Sequence, residues 1–151
     1  MAGPGQKSQR ISTLIKVRKF QFDQDFLVLN EIKSKHFAAV EQLHLAQKNY
    51  MDGVEKLNQE RQSPERKMLQ ALELGVDMAK NQWYQRLMTL RIVEEEERRQ
   101  LQQTAEAQRR LRMLEKLDER YNQQDIEHYK TIEQNQLDEF ALQTALRKVS
   151  S

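Results

Sequence analysis

Cysteine is absent from the 151-residue chain, which excludes a disulfide framework and any thiolate site. Proline occurs only at Pro4 and Pro64, and glycine only at Gly3, Gly5, Gly53 and Gly75. Proline breaks helix interiors and glycine weakens them, so two long stretches, on either side of Pro64, are left free to be helical. No segment approaches the roughly 20 consecutive apolar residues of a membrane span. The opening MAGPGQKSQR carries no apolar run of the kind a secretory signal has. These absences lead to the expectation of a soluble, intracellular protein. No phosphate-binding loop, glycine-rich turn or serine-nucleophile motif is present, so no catalytic residue, cofactor or metal ligand is assigned and enzyme activity is not expected.

Gln, Glu, Arg, Lys, Leu and Ala, all tolerable to good helix formers, dominate what is present. The hydrophobic fraction of 38% is lean for a globular core, and the charged fraction of 32% suits long amphipathic helices. In the first half, Ile15, Phe22, Leu29, His36, Leu43, Tyr50 and Leu57 recur every seven residues. A seven-residue repeat specifies a left-handed coiled-coil seam, here broken by Arg18 and Asp25. The spacing predicts a helix over 11–57, after a flexible stretch at 1–10. Residues 58–63 are polar and predict a turn. Ser63 as cap, Pro64 at the first helical position and Glu65 at the positive end of the macrodipole predict a second helix over 64–147, with a tail at 148–151.

On that second helix Leu69, Val76, Trp83 and Leu90 share a heptad position. The charged run Glu94–Arg99 follows, with Glu94–Arg98 and Glu95–Arg99 spaced as i,i+4 pairs. Leu101, Ala105, Leu111, Leu114, Leu117 and Tyr121 then resume the apolar face. The resulting expectation is all-α: a long two-helix antiparallel coiled-coil hairpin whose second helix overhangs the first. Folding near residue 60 sets Leu43 near Ala79 and Ile11 near Leu111, and leaves 112–147 without an intramolecular partner.

Function in such a chain belongs to its surfaces. His36 falls on the seam, facing the Trp83 region, where a satisfied core histidine is the simpler reading. Four successive carboxylates on a straight helix cannot wrap a calcium ion, so the Glu94–Glu97 run reads as a solvated face. Lys16, Arg18 and Lys19 lie in a stretch with no acid before Asp23, and an acidic protein partner fits it better than lipid or nucleic acid. Trp83 fits the seam. Tyr84 points elsewhere and is an exposed aromatic that could anchor a partner.

Three segments carry a resemblance. Ile11-Ser12-Thr13-Leu14-Ile15-Lys16-Val17-Arg18 resembles the "LxxLLxxR" opening of the flagellar export protein FliJ family. Leu114-Glu115-Lys116-Leu117-Asp118-Glu119-Arg120-Tyr121 is similar to its "LExLxER" segment. The ending, with Glu133, Leu137-Asp138-Glu139-Phe140-Ala141 and Arg147-Lys148, is similar to "E…LDEfA…R". The chain departs from the family pattern at Phe20, Phe22, Phe26 and Gly53. The resemblance implies a cytoplasmic component of the flagellar type III export apparatus. It implies three partners: the hexameric export ATPase, the cytoplasmic domain of the export-gate membrane protein, and export chaperones. Membrane association would be peripheral and through those partners, with no nucleic acid involved. The candidate contact residues are Lys16, Arg18, Lys19, Tyr84, Leu114, Leu117, Tyr121, Leu137, Asp138, Glu139 and Phe140. The equivalent stalk of a virulence injectisome and a generic coiled-coil scaffold are the alternatives.

Overall fold

A computed structural model describes residues 4–150. The described residues form two helices, α1 (Pro4–Gln62) and α2 (Leu69–Ser150), packed against each other as a hairpin. The first helix starts earlier and ends five residues later than the seam predicts. Part of the stretch expected to be flexible, from Pro4 on, is helical. Residues 1–3 and 151 lie outside the described residues. Helix α2 continues through the expected tail to Ser150. No described helix is long and apolar enough to cross a membrane.

The connector corrects the predicted turn. Residues 63–68, not 58–63, join the helices. Ser63 does not cap α2: its Oγ accepts a hydrogen bond from the Glu65 amide at 3.4 Å, closing a local turn around Pro64. Arg66 then adopts a left-handed φ of 45°, which no helix can continue through. The capping role passes to Glu60 on α1, whose Oε1 accepts from the Met68 amide at 3.3 Å. The first helical bond of α2 runs from the Leu72 amide to the Met68 carbonyl at 2.9 Å.

The chain divides into two compact units, residues 24–105 and residues 1–23 with 106–151. In the 24–105 unit the covered positions follow alternating steps of three and four. On α1 these are Asp25, Leu29, Ile32, His36, Ala39, Leu43, Ala46, Tyr50, Gly53 and Leu57; α2 supplies Leu72, Val76, Ala79, Trp83, Leu87, Leu90, Val93, Glu97, Gln100 and Thr104. Gly53 belongs to this packing, since a Cβ there would meet Val76 Cγ2 at 3.4 Å.

Two pairs define the register in this unit. Tyr50 and Trp83 pack with ring centroids 5.4 Å apart, and His36 Nδ1 meets Glu97 Oε2. His36 therefore faces Glu97, not the Trp83 region. Tyr50 lies as far beyond His36 on α1 as Trp83 lies before Glu97 on α2, so Leu43 is level with Leu90. The expected Leu43–Ala79 pairing is wrong because the turn sits later in the chain.

The charged run is not wholly a solvated face. Glu97 turns inward to His36. Arg98 and Arg99 both bond Glu95, at 2.6 and 3.2 Å, instead of dividing between Glu94 and Glu95. Hydrogen bonding from Arg98 brings the Glu95 carboxyl down to about 2. The seam breaker Asp25 sits on the seam. Its backbone carbonyl accepts from Gln100 Nε2 (3.0 Å) and Thr104 Oγ1 (3.3 Å), and its carboxylate from Gln103 Nε2 (3.1 Å). Thr104 is buried by this layer, while Leu101 and Ala105, expected on the apolar face, are exposed.

In the unit of residues 1–23 and 106–151, α1 covers Ile11, Ile15, Arg18 and Phe22, and α2 covers Ala107, Leu111, Leu114, Asp118, Tyr121 and Asp125. Coverage of α2 therefore lasts to Asp125. The overhang is 126–149, shorter than the expected 112–147, because the later turn and the earlier start of α1 extend the overlap.

Cysteines placed at 43 and 90 should form an intramolecular disulfide under mild oxidation, and a 43/79 pair should not; equal yields would reject the register. Arg66→Gly should raise stability by about 1 kcal/mol in chemical denaturation, since glycine adopts a left-handed φ without a Cβ clash. His36→Leu should cost about 1 kcal/mol by stranding the half-covered Glu97, and adding Glu97→Leu should restore that loss. Additive losses in the double variant would show that the two residues are not coupled.

Candidate functional site

Helix α2 is exposed at every position from Ile126 to Val149. Helices without tertiary packing are marginal, so this stretch relies on local support. No glycine or proline interrupts it. Thr131 and Thr144 donate to the carbonyls of Glu127 and Phe140, both at 2.9 Å, and Gln134 donates to Asp138 Oδ1 at 3.1 Å. Arg147 and Lys148 in the last turn complement the negative end of the macrodipole.

Two apolar faces result. Ile126, Tyr129, Leu137 and Phe140 lie on one stripe at helical spacing, with Glu133 between them. Phe140 is 69% exposed and Leu137 62%. Ile132, Leu142, Leu146 and Val149 instead continue the three-and-four steps of Leu111, Leu114, Asp118, Tyr121 and Asp125. They are seam positions, and all four are exposed.

The predicted contact residues separate accordingly. Leu137, Asp138, Glu139 and Phe140 stand together on the exposed segment, with Asp138 steadied by Gln134. Leu114 and Tyr121 are half-buried seam residues, so they hold the hairpin together. Leu117, expected on the apolar face, is an exposed neighbour of that seam. It lines a groove of about 350 Å³ with Met113, Leu114, Lys116 and Arg120. Lys16 and Lys19 are exposed; Arg18 is half-buried and donates to Gln21 Oε1 at 3.1 Å. Tyr84 is 51% exposed, stacked on Trp83 at 6.2 Å. It lies in the other unit from the α2 end, so it is a separate candidate.

Sequence reasoning did not single out Leu142, Leu146 or Val149. Their signal was available, because extending the seam steps past Tyr121 reaches each of them. The looser spacing of Ile126, Tyr129 and Ile132 hid it: those residues are shared between two faces.

Among the described residues no group of three or more His, Cys, Asp or Glu side chains is placed to hold a metal ion. The arrangement at the α2 end suits docking: apolar side chains on a helix, flanked by Asp138, Glu139 and Glu133. No family model, curated protein or solved structure matches this chain.

Proposed function

We propose that this chain is a non-enzymatic, cytoplasmic coiled-coil stalk of the flagellar type III export apparatus. It joins the hexameric export ATPase to the cytoplasmic domain of the export gate and to export chaperones. The observation that carries this reading is the exposed α2 segment 126–149, which keeps its helix and a row of solvent-exposed apolar side chains. The resemblance to FliJ falls partly on the same segment, at Leu137-Asp138-Glu139-Phe140-Ala141 and Arg147-Lys148.

The segment engages the ATPase ring near its axis, one copy per ring, since one helical hairpin cannot offer six subunits six identical contacts. Lys16 and Lys19, exposed in the same unit, steer the encounter with an acidic surface. The equivalent stalk of a virulence injectisome would use the same geometry, and a scaffold joining other partners is the reading of another class.

Deleting residues from Leu137 onward should abolish most stimulation of a purified export ATPase, while circular dichroism still reports a folded hairpin. Raising salt should slow association of the intact chain, and Lys16→Glu with Lys19→Glu should remove most of that dependence. Undiminished stimulation by the truncated chain would place the working surface elsewhere.

A further inference from the structure

A second surface lies in the 24–105 unit. A groove of about 310 Å³ runs between α1 and α2, lined by Lys35, Ala38, Ala39, Gln42, Arg86, Thr89 and Val93. Small side chains cause it: Ala38, Ala39 and Thr89 leave the flank of the seam unfilled. We propose that this groove docks an acidic amphipathic helix of a partner protein. The inference is independent of the export-stalk reading and uses no residue of the exposed α2 end.

The register places the charges. With His36 level with Glu97 and Tyr50 level with Trp83, Lys35 on α1 is level with residue 98 and Arg86 on α2 with residue 47. The two cations therefore mark opposite ends of the groove, about 18 Å apart along the axis. No acid lines it. Neither cation takes part in an ion pair or hydrogen bond among the described residues.

A straight groove with a floor of small residues admits a third helix at the usual 8–10 Å interaxial distance. A helix presents the same face after three turns, or about 16 Å, so two acids eleven residues apart would reach Lys35 and Arg86 together. Aliphatic residues between them would cover the floor. A nucleic acid fits less well, because its closely spaced phosphates would meet two distant cations and an apolar floor.

The test uses a fluorescein-labelled 18-residue helical peptide of alanine and leucine with Glu at positions 4 and 15, titrated with the full chain and followed by anisotropy. Saturable binding is expected, weakened at least tenfold by Lys35→Glu with Arg86→Glu. A peptide with Lys at positions 4 and 15 should regain affinity for that variant. Lys48→Glu with Arg91→Glu, off the groove, should leave binding unchanged, and circular dichroism checks that each variant keeps its helices. The proposal would be overturned by no saturable binding to the unaltered chain, equal binding of a scrambled peptide, or no response to the groove charge reversal. Displacement of the peptide by a single-stranded DNA oligomer at equal concentration would also overturn it, in favour of a phosphate-binding surface.

Discussion

The six-residue connector, with Arg66 held in a left-handed conformation, is the constraint on which the hairpin depends. A heptad seam tolerates sliding by whole repeats, because every seventh residue is equivalent to the last. Something outside the repeat must choose one alignment. The connector does so by fixing where each helix ends: Ser63 closes the turn, Arg66 stops any continuation, and Glu60 reaches across to the amide of Met68, the residue just before α2. The Tyr50–Trp83 and His36–Glu97 pairs then follow from the chain length on either side.

Polar seam residues reinforce that choice. A Leu–Leu layer packs nearly as well after a slip, but Asp25, Gln100 and Thr104 satisfy one another only in this alignment. The same holds for His36 and Glu97. Buried polar layers cost stability relative to an apolar seam, and their best-attested use is to select register. In this chain they alternate with Leu29, Leu43 and Leu90, so the seam keeps apolar contact between the polar layers.

The register also decides which surfaces remain for other molecules. Because α2 loses cover only after Asp125, Leu114 and Tyr121 are used within the hairpin, whereas every apolar residue from Ile126 to Val149 is exposed. Stability and availability compete for the same side chains. A residue that packs on α1 cannot also anchor a partner unless the helices separate. That competition is why Leu114 and Tyr121 are covered within the hairpin while Leu137 and Phe140 stay exposed.

Helicity, the heptad period, the antiparallel layout and the overhang of α2 were legible in the amino-acid sequence, because each is a local or periodic property. Proline and glycine are absent where a helix must continue, and apolar residues recur at seam spacing. The exposed Leu137–Phe140 stretch and the division between Trp83 and Tyr84 were legible for the same reason. Tertiary structure alone decided the alignment of the helices, and with it the pairing of Leu43 with the level of Leu90, the inward turn of Glu97 and the fate of Leu114 and Tyr121. Pairing across a hairpin depends on the length and φ angles of its turn. The sequence around Ser63-Pro64 permitted both a helix start there and a longer connector. Only the positive φ of Arg66 and the reach of Glu60 chose between them.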